Sequence, residues 1–147
     1  MVERDQEMDL EIPSDFKFLG AVDAAVQDLA REFAFGQDAI NDMSTALIEA
    51  CSNAIEHGNR FAPDKRVRVT LRSGASGFVA VVRDEGPGFD FESVVAEDGP
   101  PDMMSERGRG LLIMKAFTDE LTFTRGGGGL TVELVKRRVS SSDEASD

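Results

Sequence analysis

The sequence predicts a two-layer α/β sandwich, a mixed but mostly antiparallel sheet of about five strands with helices packed on one face. Two observations predict it. Apolar residues recur at helical spacing in the early chain and again near its end, with period-two or wholly apolar runs in between and afterwards. One of those runs alternates apolar with basic residues, so the sheet keeps a partly wet face. At 147 residues, 41% hydrophobic and 30% charged, the chain holds one core and one domain. Its expected bounds are 8–138, with flexible tails at 1–7 and 139–147.

The elements follow in order. Met8 to Ile12 reads as a short first strand, and Pro13-Ser14-Asp15 is turn chemistry that can start a helix. From Phe18 to Phe35, Phe18, Leu19, Val22, Val26, Leu29, Ala30 and Phe33 recur at three- and four-residue spacing, an amphipathic helix that Gly36 ends. A second helix follows from Gln37 or Asp38, with Ile40, Met43, Leu47, Cys51, Ala54 and Ile55 on its apolar stripe and Gly58 at its end. The lone Cys51 lies on that stripe and reads as core packing. Val67, Val69 and Leu71 alternate with Arg66, Arg68, Thr70 and Arg72 in a half-wet strand, and Ser73 to Gly77 is a hairpin turn. Phe78 to Val82 is apolar throughout, the pattern of a central strand. Phe91 to Glu106 reads as a long loop. Gly108-Arg109-Gly110 opens a buried helix over Leu111 to Phe117, and strands Leu121 to Thr124 and Leu130 to Val135 are joined across Gly126 to Gly129.

Composition excludes several functions. Sixteen basic against 28 acidic residues leave −12, the wrong balance for nucleic acid. No apolar run approaches the roughly 20 residues that span a bilayer. The acidic MVERDQEMDLE start is unlike a signal peptide, so a cytoplasmic protein is expected. The same negative charge repels a nucleotide triphosphate. A nucleotide site here needs a divalent cation, backbone N–H groups and well-placed arginines.

Three segments carry candidate chemistry. On the second helix Glu49, Asn53 and His57 are four apart, stacked on the side away from the apolar stripe. Asn53 supplies a neutral hard oxygen for Mg²⁺, and Glu49, one turn away, can take a proton from an attacking hydroxyl or water. At the end of the central strand stands Asp84-x-Gly86-x-Gly88. Its carboxylate can accept a hydrogen bond from an exocyclic amine such as adenine N6, and its glycines let backbone approach a flat ring. Gly108-x-Gly110 can present bare N–H groups to phosphate at a helix N-terminus.

In this order the segments resemble the N, G1 and G2 boxes of the ATPase superfamily shared by gyrase, histidine kinases and mismatch-repair ATPases, whose fold is the Bergerat type. Within it, SNAIEHGN, VVRDEGPGFD and GRGLLIMKAFTDEL resemble bacterial anti-sigma factor serine/threonine kinases of the partner-switching type, over about Leu10 to Arg138. The resemblance implies Glu49 as general base, Asn53 as Mg²⁺ ligand, Asp84 as adenine contact, and Gly86 and Gly88 as pocket-shaping. It also implies a lid over roughly Phe91 to Arg107, with Gly108, Gly110 and Leu111 at its phosphate end. Arg107 and Arg109 become candidate γ-phosphate contacts, and Thr131 matches a threonine that helps hold adenine. His57 is left as a structural residue at the helix end. The chain departs from the family pattern in its lid, which carries Gly99-Pro100-Pro101 and two arginines around Gly108 in place of a longer glycine-rich run.

The implied activity is ATP-dependent transfer of the γ-phosphoryl group to a serine or threonine of a small anti-sigma factor antagonist. A sigma factor is the implied second partner, and the family is typically homodimeric. The alternative is a non-catalytic ATP- or ADP-sensing module that switches protein partners; such a sensor needs Asn53 and Asp84 but not a base at Glu49. The ATP-binding half of a histidine kinase is disfavoured, because no phospho-acceptor helix is expected before the domain and His57 is the sole histidine.

Overall fold

A computed structural model describes residues 5–32, 35–86 and 106–137. Its framework is a sheet of five strands, β1 (Gln6–Pro13), β2 (Arg66–Gly74), β3 (Gly77–Arg83), β4 (Glu120–Gly126) and β5 (Gly129–Arg137), in the order β1-β2-β3-β5-β4. All four pairings are antiparallel, so the described sheet is not mixed. The apolar β3 takes the central place. Even there the faces differ: Phe78, Ala80 and Val82 are buried, whereas Val79 and Val81 are half-buried.

Three helices cover one face: α1 (Leu19–Glu32), α2 (Gln37–Asn53) and α3 (Glu106–Phe117). Val22, Val26 and Leu29 on α1 and Ile40, Met43, Leu47 and Cys51 on α2 are buried, the outcome expected from their spacing. They join Val67, Val69, Leu71, Phe78, Val132 and Leu134 of the sheet in one core. Each large side chain so buried contributes roughly 1.5–3 kcal/mol of transfer free energy. The opposite face is solvated and carries cross-strand ion pairs such as Arg72–Glu7 at 3.1 Å and Arg137–Glu120 at 3.0 Å. Among the described residues no helix is long and apolar enough to cross a membrane.

Several elements differ from their sequence-based bounds. The first strand begins at Gln6, and a 3-10 turn over Phe16–Phe18 precedes α1, its start capped by Asp15, which accepts from the Lys17 N–H at 3.0 Å. The second helix stops being α-helical at Asn53 and finishes in a π turn over Ala54–Gly58. The third begins at Glu106, and only Leu111 and Met114 among its apolar residues are buried. Both hairpins are tight. Ala75–Ser76 joins β2 to β3, and Gly127–Gly128 joins β4 to β5, with φ of 62° and 81°. Two successive left-handed residues suit a type I′ turn, which glycine adopts without strain. Of the expected lid, residues 91–105 lie outside the described residues, as do Gly88 and the acidic tail.

The outer glycines of the four-glycine run belong to the strands for different reasons. A Cβ on Gly129 would lie 1.9 Å from the Asp84 carbonyl oxygen, whereas one on Gly126 would meet open space. Gly129→Ala is therefore expected to lower the unfolding free energy by about 2 kcal/mol or more in urea titration, and Gly126→Ala to change it by less than about 0.5 kcal/mol.

Candidate nucleotide-binding site

The site begins with the two faces of α2. Besides its stripe towards the sheet, Ala46, Ala50 and Ala54 are buried at four-residue spacing, and Ala50 and Ala54 share a cavity wall with Met114 of α3. Small side chains let α3 lie close, so the side bearing Glu49 and Asn53 is not the wet face that the apolar stripe implies. Asn53 is only 8% exposed, and Glu49 is half-buried. Gly110 of α3 passes directly over both. A Cβ there would stand 3.0 Å from Glu49 Oε2, 3.4 Å from Asn53 Nδ2 and 3.6 Å from Asn53 Oδ1. Because α3 starts at Glu106, Gly110 follows the four residues whose N–H groups lack an intrahelical acceptor. Its bareness allows this close passage. Gly108 lies within the first turn, as does Arg107. Arg109 is exposed, and Leu111 is buried in the core.

His57 leaves the line of Glu49 and Asn53. The π turn inserts a residue, so the Asn59 N–H reaches back five residues to the Ala54 carbonyl at 2.8 Å. That rotates everything after Asn53 relative to α2. His57 is half-buried, with Nε2 3.8 Å from Glu56 Oε1.

Asp84 is the electrostatic centre of the site. It is 3% exposed, and its Oδ1 accepts from the N–H of Leu130 at 3.0 Å and of Gly86 at 3.2 Å. Oδ2 accepts no hydrogen bond from the described residues. Burial raises the Asp84 pKa above its ordinary value, against the lowering effect of those two N–H donors and of the Lys65 charge. Glycines enclose it: a Cβ on Gly58 would fall 2.1 Å from Oδ2, and one on Gly86 would fall 1.6 Å from the Gly58 carbonyl oxygen. Gly86 thus lacks a side chain because the end of the π turn occupies that space.

Asp84 and Asn53 line a small cavity of about 10 Å³, room for little more than one water, with Ala54, Met114, Phe123 and Val132 also in its wall. Its walls are apolar apart from these two side chains. Asn53 makes no side-chain hydrogen bond to a described residue, and its amide is not sealed from solvent, so it is open to a ligand. Among the described residues no group of three His, Cys, Asp or Glu could cage a metal. A cation here would combine one or two protein oxygens with phosphates and water, the usual setting for Mg²⁺. Cys51 is not part of this chemistry, since burial pushes its thiol up to about 12.

Thr131, expected beside the base, lies on the strand face opposite to Leu130 and Val132. It pairs with Arg83 and Thr124 on the solvated face, while those two neighbours face the cavity. Side chains alternate along a strand, so a one-residue offset exchanges the faces. The β5 contact to Asp84 is the Leu130 N–H, a backbone group that residue types do not reveal. Residue type does not mark Asn59 as a site residue either; it is buried at the π turn, and its Oδ1 accepts from the Glu85 N–H at 2.8 Å.

The Asp84 shift has a testable sign. A raised acid pKa means that the folded chain binds the proton more tightly than the unfolded one. Ionised Asp84 therefore costs stability at pH 7, and the cost fades as pH falls through the folded pKa towards 3.8. Asp84→Asn keeps an oxygen for both N–H donors and removes the charge. Its stability in urea should equal or exceed wild type at pH 7, with the advantage gone by about pH 4. A deficit independent of pH would mean that burial of charge does not govern this position.

Comparison with known proteins agrees with this geometry. The signature of the histidine kinase-like ATPase domain matches residues 12–136. The serine-protein kinase RsbW of Bacillus subtilis (strain 168) is 29% identical over 137 residues, covering 88% of this chain and 84% of that protein. The RsbW of Bacillus cereus (strain AH820) is 25% identical, covering 92% and 88%. Among solved structures, the RsbU and RsbW domains of Rv1364c from Mycobacterium tuberculosis superpose with a TM-score of 0.65 at 20% identity, over 90% of this chain and 32% of that one. The histidine kinase domain of the blue-light activated kinase from Erythrobacter litoralis EL346 gives 0.54 at 18%, over 85% and 61%. These two likenesses concern the fold. With its signature matched across nearly the whole described sheet and helix layer, the chain belongs to the histidine kinase-like ATPase domain family.

Proposed function

We propose that this protein is an ATP-dependent serine/threonine kinase that acts on a partner protein. The observation that carries the reading is the convergence of Glu49 and Asn53 beneath the bare Gly110, one cavity away from an Asp84 oxygen without a hydrogen-bond partner among the described residues. Relatives of similar length named serine-protein kinase support it. Glu49 is assigned as the general base that takes the proton of the acceptor hydroxyl, and Asn53 as the side-chain ligand of Mg²⁺. Asp84 would orient adenine by accepting from its amine. The first turn of α3, including Gly108, would favour the phosphates through its free N–H groups, with Arg107 and Arg109 near by. Mg²⁺–ATP supplies the transferable phosphoryl group and offsets the repulsion of a chain carrying −12.

The proposed acceptor is a serine or threonine of a small anti-sigma factor antagonist, and the proposed second partner a sigma factor. We assign the protein to the cytoplasm as a homodimer. Loss of a positioned base costs roughly 10²–10⁴-fold in proton transfer. Glu49→Ala should therefore lower phosphoryl transfer to the antagonist by about that factor and change ATP affinity by less than about threefold, measured by phosphorylation and calorimetry. Wild-type transfer by this variant would place the base elsewhere. ATP binding without phosphorylation of any partner would leave a nucleotide-sensing module.

A further inference from the structure

We propose that Asn59 is a positioning residue that sets the base selectivity of the nucleotide site. The inference rests on the reading of that site as one for ATP. Asn59 is 1% exposed, and its side-chain amide is fully used. Its Oδ1 accepts from the Glu85 N–H at 2.8 Å, and its Nδ2 donates to the Arg66 carbonyl at 3.0 Å and to Ser14 Oγ at 2.9 Å. Ser14 Oγ in turn donates to the Lys65 carbonyl at 2.7 Å. One side chain therefore ties the end of the π turn to the turn after β1, to the start of β2, and to the corner Asp84-Glu85-Gly86.

That corner is held from two sides. From β5, Leu130 binds the Asp84 backbone N–H at 3.1 Å and the Oδ1 atom at 3.0 Å. From the end of the π turn, Asn59 binds the next peptide N–H, and Gly86 rests on the Gly58 carbonyl without room for a Cβ. The direction of Asp84 Oδ2, the atom left for a base amine, follows from these two anchors. The backbone around Asn59 is shaped for this. Its N–H closes the π turn on Ala54, and Arg60 and Phe61 then adopt left-handed φ of 54° and 58°, uncommon for residues with a side chain. Phe61 N–H bonds the Ile55 carbonyl at 2.9 Å, closing the reversal. A regular helical end would turn the Asn59 side chain away from Glu85 by about 100° per residue.

The phosphate end of the site rests on other elements, α2 before the π turn and the start of α3. Loss of Asn59 should therefore fall on recognition of the base amine and spare the phosphate contacts. Inosine triphosphate, which carries an oxygen in place of that amine, is the discriminating probe. In calorimetry with Mg²⁺, wild type should prefer ATP over inosine triphosphate by about tenfold or more. Asn59→Ala should weaken ATP by about tenfold and inosine triphosphate by less than about twofold, so the preference collapses. Asn59→Asp keeps the acceptor for Glu85 and loses both donors, so it should retain the preference at a lower melting temperature. Ser14→Ala loosens the same corner without releasing Glu85 and should also retain it. Equal weakening of both nucleotides in Asn59→Ala, no weakening in it, or loss of preference in Asn59→Asp or Ser14→Ala would overturn the inference. The two aspartate and serine arms stand even if Asn59→Ala does not fold. Wild type that binds neither nucleotide would instead remove the ATP reading itself, and wild type without preference would remove the role of Asp84 towards the amine.

Discussion

A carboxylate held in an almost closed backbone cage is the constraint around which this molecule is arranged. Asp84 is buried with two N–H donors on one oxygen and none from the described residues on the other. A charged group so placed is unfavourable unless its surroundings are fixed. They are fixed by backbone, which comes close enough only where side chains are missing, at Gly58, Gly86 and Gly129. These three glycines come from the π turn, the strand-end corner and β5. The cage therefore requires the helix layer and two strands to be in register at once.

The second helix meets this requirement by changing its geometry part of the way along. Up to Asn53 it is regular, and Glu49 and Asn53 stay one turn apart under Gly110. After Asn53 the π turn shifts the chain so that the Gly58 carbonyl and the Asn59 amide meet the Asp84 corner. A single segment thereby carries Glu49 and Asn53 at one end of the cavity and the support for the Asp84 corner at the other. The cost is local. Two non-glycine residues sit in the left-handed region, each disfavoured by about 1 kcal/mol or more. Departures from local preference of this kind concentrate where function competes with stability.

Function in this family domain depends on contrasts within a small volume. The cavity wall is apolar through Ala54, Met114 and Val132 and polar at its two ends, Asn53 and Asp84. The strongly acidic chain places no cluster of three potential metal-binding residues there among those described. Phosphate and cation would thus be held by few groups, with selectivity for the base carried by one oxygen. The stability of the Asp84 corner and the specificity of the site are for that reason the same physical question.

Much of this could be read without coordinates. The two amphipathic helices, the alternating strand and the apolar central strand follow from side-chain periodicity, which is a local property and survives in the sequence. So do the positions of Asn53 and Asp84, whose residue types are unusual for a helix face and a strand end, and of Glu49 one turn before Asn53. Tertiary structure alone decided which faces meet. Ala46, Ala50 and Ala54 could have marked the second buried face of α2, but small residues signal close packing without naming the partner. Thr131 and Leu130 are adjacent in sequence, and only the pairing of β5 with β3 sends the first to solvent and the second to the cavity. The π turn, the reason for each bare glycine and the three bonds of Asn59 depend on groups distant along the chain. The sequence by itself determined the elements and the chemistry they carry. The register between those elements, set by close backbone contact that no single segment encodes, decided where that chemistry points.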